Sequence, residues 1–535
     1  MQNEGMHGVP KNPRVPLEPR AVVNYINELK TDYEQQIKAL QTRYNLLENN
    51  YGQLKEKYDL LIYKRFGRSA EQLQEDAKQP LLFSEEAGQA EPEVKEPGHE
   101  LQEVKSFTRK KPGRKPLGAN LPRREKVIDI SEDDKTCACG ANLSRIGEET
   151  SEKLQIIPPE IYVEKTVRPK YACRCCEGTE DENRPTVRIA PVPPSIIPRS
   201  IASPSLLSAI FTQKFEMHLP YYRQEKQFAQ IWAEISRQDM SNWQQQAYKK
   251  LRPLLLLLKD LVKSGPVLQM DETTVQVIGE EGRDDKQKSR MWLARGGPPG
   301  KTVVWYEYHP TRAAYHAKEF LEGYKGYLKT DGYNGYDSAV KDMPEIIQAG
   351  CFAHARRKFF EAAKASKKPQ SAEEGIKYIR RLYDLENGLR SENLGDAVFL
   401  EKRKKAAAVI LSDFRKWLEK RQKELLPSSL LGEAVGYMFS QWDKLIAYLE
   451  SPYLTPDNNA CENAIRPFVL GRKNWLFCQS PQGAESSCAI YSLIKTAKQN
   501  GLVPFKYLMA LFEKTPLVKS PDDWKKLLPW NIFTA

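Results

Sequence analysis

The chain has 535 residues, of which 40% are hydrophobic, and it carries a formal net charge of +12. Its length suits about two to four folded units. The mean hydropathy of −0.62 and the lack of any apolar run of about 18 residues exclude a membrane-spanning protein. No N-terminal stretch resembles a signal peptide, so we expect a cytoplasmic protein. The positive charge indicates a polyanionic partner such as nucleic acid.

The first predicted element is a helix over residues 20–66 that carries a heptad repeat. Apolar residues occupy its a and d positions: Ile37, Leu40, Tyr44, Leu47, Tyr51, Leu54, Tyr58 and Leu61. This spacing predicts a coiled coil, and with it a homodimer or a larger assembly. The alternative is an amphipathic helix folded back onto the chain's own core, since tyrosine at three consecutive a positions departs from an ideal dimeric zipper.

Residues 67–127 have the composition of a charged flexible linker, rich in Gln, Glu, Pro and Gly. An acidic half precedes a basic half. Within the basic half, the run Pro-Gly-Arg-Lys-Pro at residues 112–116 could lie in a DNA minor groove as an extended cationic strand. A solvated charged tether would have the same composition, so both interpretations stay open.

Residues 128–192 are predicted to form a small zinc-binding β domain. Cys137 and Cys139 form one pair of thiols, and Cys173 and Cys176 form another, with strand-like sequence between them. Two such pairs can close a tetrahedral zinc site, and four thiolates leave no open position, so the zinc would be structural. Buried free thiols are the alternative, and Cys175 is a further candidate ligand.

Residues 193–262 are predicted to form a helical DNA-binding region. The run at residues 228–243 resembles a helix–turn–helix whose second helix begins near Ser236. That helix would offer Arg237, Gln238 and Asn242 to a DNA groove. A helical bundle that only packs internally produces the same pattern.

Residues 263–480 have the element order of an α/β RNase H-like core. We predict strands at 267–278, 290–294 and 302–308, a helix at 313–324 and a fourth strand at 326–333. In this order the first and fourth strands lie side by side. Asp271 in the first strand and Asp331 near the end of the fourth are therefore expected to meet.

Phosphodiester transfer needs oxygen ligands for divalent metal ions, and two carboxylates are too few to hold two ions. The third candidate is Glu462, one turn inside a helix that follows the run Pro-Asp-Asn at residues 456–458. The predicted catalytic residues and ligands of two magnesium or manganese ions are Asp271, Asp331 and Glu462. The nearby carboxylates Glu272, Asp337 and Asp457 are interpreted as supporting, turn or cap residues.

The stretch between Asp331 and Glu462 is longer than a bare core needs, and residues 364–450 have the periodicity of a helical insertion. This insertion could contact DNA or another subunit, or it could serve only structural packing, and the sequence leaves both alternatives open. Residues 481–535 are predicted to form a C-terminal helical segment.

Basic residues close to the carboxylates in sequence are candidates for phosphate contacts: Arg356, Arg357, Lys358, Arg466, Arg472 and Lys473. Solvated helix faces would show the same charges. Cys351 and His354 have C-x-x-H spacing, and we expect them to support the site, with a zinc-ligand role for His354 as the alternative.

Several runs occur together in a recognisable order: Asp271-Glu-Thr, Asp331-Gly-Tyr-x-x-Tyr, Cys351-x-Ala-His-x-Arg-Arg-Lys-Phe359, Asn458-Asn-x-x-Glu-x-x-Ile-Arg-Pro and Tyr491-Ser-Leu-Ile-Lys-Thr-Ala-Lys-x-Asn-Gly501. In these runs, and in Tyr171-Ala-Cys-x-x-Cys176, the chain resembles the insertion-sequence 66 family of bacterial transposases. The resemblance implies a coiled-coil N-terminus, a zinc-binding domain, a DDE catalytic core and a distinctive C-terminal segment. It also implies that the catalytic triad is Asp271, Asp331 and Glu462.

The resemblance implies a cytoplasmic, nucleoid-associated bacterial DNA transposase. Such a protein binds double-stranded DNA at the terminal inverted repeats of its element and at a target, cuts and rejoins strands, and works with accessory proteins of the same element. One alternative is a catalytically inactive, transposase-derived DNA-binding regulator, against which the presence of all three carboxylates argues. Another is an RNase H-like repair nuclease, which would leave the heptads, cysteine pairs and C-terminal motif unexplained.

Overall fold

The computed structural model describes residues 19–66, 161–172, 187–231, 233–366 and 369–534. The chain divides into two compact units, one of Met1–Gln89 with Pro193–Ala535 and one of Ala90–Val192. The predicted linker and the four predicted zinc ligands, Cys137, Cys139, Cys173 and Cys176, lie outside the described residues.

The described part of the smaller unit contains a short antiparallel pair of strands. Strand β1 is Lys170–Ala172 and strand β2 is Val187–Ile189, with Tyr171 opposite Arg188. The Nε atom of Arg168 donates to the carbonyl of Ala190 at 2.8 Å, just beyond the pairing.

A mixed sheet forms the centre of the larger unit. Its strands are β3 (Val267–Val277), β4 (Lys288–Gly296), β5 (Val303–His309), β6 (Gly326–Lys329), β7 (Ile346–Ala349) and β8 (Phe477–Cys478). The order is β5-β4-β3-β6-β7. The first three strands pair antiparallel, whereas β6 runs parallel to β3 and β7 parallel to β6. The predicted adjacency of the first and fourth strands is confirmed.

The sheet differs from the sequence prediction in two places. The fourth strand was expected to reach residue 333, but β6 ends at Lys329, so Asp331 lies in the loop that follows it. The chain turns there because the Asp331 Oδ1 atom accepts the backbone N–H of Tyr333 at 3.1 Å, which leads directly into a helix. The fifth strand of the sheet, β7, was not predicted at all.

Helices cover the sheet and extend from it. Their bounds are α2 (Pro204–Phe215), α3 (Tyr221–Ala229), α4 (Arg237–Val262), α5 (Ala314–Leu321), α6 (Asn334–Val340), α7 (Phe352–Ala365), α8 (Gln370–Ser391), α9 (Asp396–Glu424), α10 (Leu430–Ile446), α11 (Asn459–Trp475), α12 (Pro481–Gln499), α13 (Pro504–Lys514) and α14 (Pro521–Lys526). Ser236 caps α4 in a reciprocal capping box with Asp239, so the predicted helix start is confirmed.

Helix α12 covers the outer edge of the sheet, where β5 lacks a neighbouring strand in the described chain. The backbone N–H of Tyr306 donates to the Ser492 hydroxyl at 2.9 Å, and that of Val304 donates to the Thr496 hydroxyl at 3.0 Å. The side-chain amide of Asn500, just past the helix, donates at 2.7 Å to the carbonyl of Thr302, the residue before β5. Ser492, Thr496 and Asn500, which are spaced four residues apart, therefore provide hydrogen-bond partners for backbone groups at this edge of the sheet. They belong to the C-terminal run noted in the sequence, which thus has a structural role.

The stretch at residues 364–450 is helical, as its periodicity predicts, and consists mainly of α8, α9 and α10. Together with α7 these helices enclose a second hydrophobic core, separate from the one under the sheet. Arg403 is fully buried within them and is paired with Glu386, while its guanidinium also donates to the carbonyls of Ser451 and Leu454.

The N-terminal helix α1 spans Pro19–Phe66, 48 residues, which confirms the predicted helix. Its last turns pack against α7 and α10. Lys64 forms an ion pair with Glu361 at 2.9 Å, and Glu56 accepts the backbone N–H of Leu430 at 3.2 Å. The a and d residues point elsewhere and are exposed. The coiled coil itself stays a prediction, but the heptad row does not fold back onto the chain's own described core.

The larger unit and the hairpin contain no helix with both the length and the apolar character that crossing a membrane requires, as far as the described residues extend.

Candidate active site

Asp271 and Asp331 lie at the same level of two neighbouring parallel strands. Gln269 of β3 is paired with Lys329 of β6, and each aspartate follows two residues later. Asp271 is still inside its strand, whereas Asp331 is the second residue of the β6–α6 loop. Both side chains are half-buried. The parallel register therefore brings the two predicted aspartates together, although only one of them is on a strand.

Glu462 approaches from α11. It lies in the first turn of this helix, and its backbone N–H donates to the Asn458 carbonyl at 3.1 Å. Helix α11 packs against β3 and β4. The three predicted acidic residues thus come from a strand, a loop and a helix that are far apart in sequence.

The charges of neighbouring acidic residues act on Asp271. Burial raises the pKa of Asp271 well above its usual range, and the negative charges of Glu272, Glu462 and Asp331 raise it further. Nearby like charges disfavour the ionised form of a carboxyl group in a partly desolvated site. A cation bound among Asp271, Asp331 and Glu462 would relieve this repulsion, and an all-oxygen donor set is what a hard divalent cation prefers. The chemistry of this donor set suits magnesium or manganese, although among the described residues only Glu462 belongs to a group of possible ligand atoms within 4.8 Å of one another, with Cys351 and His354.

Glu272, whose charge also acts on Asp271, has partners of its own. Arg312 forms an ion pair with it, and the Tyr336 hydroxyl donates to its Oε2 atom at 2.8 Å. Successive residues on a strand point to opposite faces, so Glu272 and Asp271 lie on different sides of the sheet. The Arg312 guanidinium stacks on the Tyr333 ring at 3.5 Å. These contacts account for Glu272 as a supporting carboxylate, and Arg312 had no sequence signal that would single it out.

Cys351 and His354 lie beside Glu462, as their predicted supporting role requires. The Nδ1 atom of His354 is 3.6 Å from the Oε1 atom of Glu462. Burial acts to lower the pKa of His354, but the adjacent Cys351 sulfur and the Glu462 carboxylate raise it to about 9. One donor atom from each of these three residues lies within 4.8 Å of the others. A charged imidazole is thus positioned to neutralise Glu462.

The predicted groove-reading residues lie at the start of α4. Arg237, Gln238 and Asn242 are all exposed there. The Gln238 side-chain amide donates to the Asn242 side chain at 3.1 Å, so the two residues share one face of the helix. Their exposure is compatible with contact to another molecule.

The candidate phosphate contacts divide into two groups. Arg357, Lys358 and Arg466 are partly exposed and Lys473 is exposed. Arg356, in contrast, is only 3% exposed, so its side chain is out of reach of a phosphate in this structure. Arg472 turns inward and donates to the hydroxyls of Thr273 and Thr274, at 2.9 and 2.8 Å. In this structure Arg356 is buried and Arg472 bonds to β3, so the prediction of phosphate contact rests on the other four residues.

Comparison with known proteins relates four parts of the chain to transposases of insertion sequences. Residues 199–486 match the family described as "Transposase IS66 family", and residues 134–177 match the "zinc-finger binding domain of transposase IS66". Residues 53–125 match "Transposase C of IS166 homeodomain", and residues 492–530 match the "IS66 C-terminal element". The zinc-finger match includes all four predicted cysteine ligands, which supports a structural zinc.

Curated relatives of similar length come from Sinorhizobium fredii (strain NBRC 101917 / NGR234). The chain is 32% identical over 465 residues to the uncharacterized protein y4hP, which covers 81% of this chain and 80% of the relative. It is 30% identical over 427 residues to the uncharacterized protein y4jD, covering 78% and 81% of the two chains.

Proposed function

Because the chain belongs to the IS66 family of transposases, we propose that it binds the terminal inverted repeats of its own insertion element and catalyses metal-dependent strand cleavage and strand transfer. The observation that carries this proposal is the β3–β6 register, which places Asp271 and Asp331 at one level, together with the packing of α11, which carries Glu462, against β3. The strand order β5-β4-β3-β6-β7, with a parallel β3–β6 pair, supports an RNase H-like core.

In this proposal the three carboxylates hold magnesium or manganese ions. Such ions activate an attacking oxygen and stabilise a leaving oxygen in phosphodiester transfer. Asp271 and Asp331 each follow two residues after a paired position of the sheet, and His354 lies beside Glu462. Water attacks the phosphorus at the element end and releases a 3′-hydroxyl. That hydroxyl then attacks a target phosphodiester and displaces its 3′ oxygen.

DNA contact would come from several exposed cationic surfaces. We assign groove contact to Arg237, Gln238 and Asn242, and phosphate contact to Arg357, Lys358, Arg466 and Lys473. The zinc domain held by Cys137, Cys139, Cys173 and Cys176 is a further DNA-binding candidate. A dimer or larger assembly through α1 would bring two element ends together, with accessory proteins of the same element as additional partners.

The test is cleavage and strand transfer on DNA carrying the element's ends, with Mg²⁺ or Mn²⁺. Asp271→Asn, Asp331→Asn and Glu462→Gln should each abolish both reactions and leave end binding nearly unchanged, because phosphate contacts dominate affinity. Asp337→Asn is the matched control, since this nearby carboxylate is bound by Lys444 and Gln348. Wild-type protein that binds ends but never cuts them would instead indicate a catalytically inactive regulator.

A further inference from the structure

The loop at residues 455–458, just before α11, is attached to three separate elements around the candidate active site. The buried Lys329 side chain at the end of β6 donates to the carbonyl of Thr455. The backbone N–H of Phe352, at the start of α7, donates to the carbonyl of Pro456 at 3.0 Å. The loop is therefore fixed in place before the helix that carries Glu462 begins.

Asn458 makes the third attachment, and it does so with its side chain. It is 1% exposed, and its Nδ2 atom donates to the carbonyl of Met270 at 3.1 Å. Its backbone N–H donates to the Cys351 sulfur at 3.2 Å. One residue thus joins α11 to strand β3 and to the start of α7.

The use of this asparagine is unusual for its position. Asn458 is the N-cap of α11, where an asparagine side chain normally accepts a hydrogen bond from the first turn of its own helix. Here it makes no such bond. Asp457 instead accepts the backbone N–H of Asn459 at 3.1 Å. The Asn458 amide is committed to tertiary contact, which sets where the helix begins relative to the sheet.

These contacts connect the carboxylates to one another. Met270, which Asn458 contacts, directly precedes Asp271, and Glu462 bonds back to Asn458 through its backbone. Lys329 lies two residues before Asp331 and holds the same loop. Any shift of the loop would change the separation of Glu462 from both aspartates.

We propose that Asn458 is a positioning residue that fixes Glu462 against Asp271, with Lys329 fixing the same loop against the strand that leads to Asp331. This rests on the proposed function, in which the three carboxylates bind divalent metal. Residues that orient metal ligands in this way typically change metal affinity by about 10–100-fold when they are removed.

The test compares Asn458→Ala with Asn500→Ala in the full-length, zinc-loaded protein. Asn500 is a matched control because its amide also donates to a backbone carbonyl, that of Thr302 beside the edge strand β5, two strands away from β3. Mn²⁺ binding would be measured by calorimetry, end binding by gel shift and cleavage as a function of Mn²⁺ concentration. We expect Asn458→Ala to weaken Mn²⁺ binding by about 10–100-fold, to keep end binding, and to regain cleavage at high Mn²⁺. Asn500→Ala should bind Mn²⁺ like the wild type.

Lys329→Met provides a second variant, because it removes the bond to the Thr455 carbonyl while retaining a buried side chain of similar length. If circular dichroism shows that Asn458→Ala does not fold, the Mn²⁺ affinity of Lys329→Met tests the positioning role instead. Unaltered Mn²⁺ affinity in the folded variants would overturn the positioning role alone. A wild-type protein that neither binds Mn²⁺ nor cleaves would overturn the proposed function itself, so the two failures are distinguishable.

Discussion

The Nδ1 atom of His354 on α7 lies 3.6 Å from the Oε1 atom of Glu462 on α11. The pKa of His354 is raised to about 9, against the effect of burial, by Cys351 and by this carboxylate. The imidazole is therefore cationic at neutral pH. From this position it limits the directions in which the Glu462 carboxylate can point, as a residue that orients a metal ligand does.

Replacing His354 with glutamine should impair catalysis without impairing DNA binding. His354→Gln keeps a polar side chain but removes the positive charge beside Glu462. We expect cleavage to fall about 10–100-fold, with end binding by gel shift within twofold of the wild type. Lys318→Gln removes an equally charged group from an exposed pair with Asp342 and should leave cleavage unchanged. Equal activity of the two variants would contradict the role of His354.

Much of the fold could be predicted from the sequence because its elements have clear periodicity. The strand at β3 was placed within a residue, and the start of α4 was found from Ser236 and the turn before it. Strand β7 was missed because its four residues are too short to show alternation. The end of β6 was misplaced because the turn depends on the Asp331 side chain bonding to the backbone of Tyr333, which residue types alone do not reveal.

The three acidic residues of the candidate site could be selected from the sequence, because metal-dependent chemistry needs carboxylates and these three lie in the predicted strands and helix of the core. Of the residues around them, Cys351, His354 and Glu272 could be selected in the same way, but Asn458 and Arg312 could not. Asn458 has the sequence signature of an ordinary N-cap, and its tertiary bond to Met270 depends on how α11 packs on β3. Arg356 and Arg472 were predicted to contact phosphates because they are basic and lie near the carboxylates in sequence. Arg356 is buried, however, and Arg472 bonds to threonines of β3. Sequence gives the charge of a side chain but not the face on which it lies.

The heptad face of α1 should mediate self-association. Leu47 and Leu54 are 68% and 69% exposed, so the described chain leaves these large apolar side chains in water. Replacing both with glutamate should shift the protein from dimer to monomer in analytical ultracentrifugation, because charges at d positions disrupt the seam of a coiled coil. The helix contacts its own catalytic unit through other residues, such as Glu56 and Lys64, so the fold should persist.

The control for this experiment carries the same charge change on another face of the helix. Asn45 and Asn49 are exposed and lie outside the a and d positions, so Asn45→Glu with Asn49→Glu should remain dimeric. An unchanged mass for the Leu47 and Leu54 variant would place assembly elsewhere.

One structural zinc per chain is expected in the region that matches the family zinc finger. Cys173→Ser should remove the zinc and destabilise its domain, because a four-thiolate site loses a ligand and metal binding is coupled to folding. Cys175→Ser is the control, since the proposed set of Cys137, Cys139, Cys173 and Cys176 is complete without it. Elemental analysis of the purified protein gives the stoichiometry. Zinc-free native protein, or loss of zinc from the Cys175 variant, would refute this ligand set.

The edge contacts made by α12 should contribute measurably to stability. The buried Thr496 hydroxyl accepts the backbone N–H of Val304 at 3.0 Å and donates to its carbonyl at 3.2 Å. Thr496→Val preserves the shape of the side chain but leaves this buried N–H without its partner. The cost should be about 1–3 kcal/mol in the free energy of unfolding. Denaturant unfolding followed by tryptophan fluorescence would measure it.

Thr212→Val is a matched control for that cost, because the Thr212 hydroxyl is also buried but has no hydrogen-bond partner within the described chain. Burying a hydroxyl without a partner is unfavourable, so its replacement by a methyl group should be neutral or slightly stabilising. The difference between the two variants isolates the hydrogen bonds to β5 from the effect of the substitution itself. If Thr496→Val is as stable as Thr212→Val, packing of α12 rather than hydrogen bonding at the sheet edge holds the C-terminal segment in place.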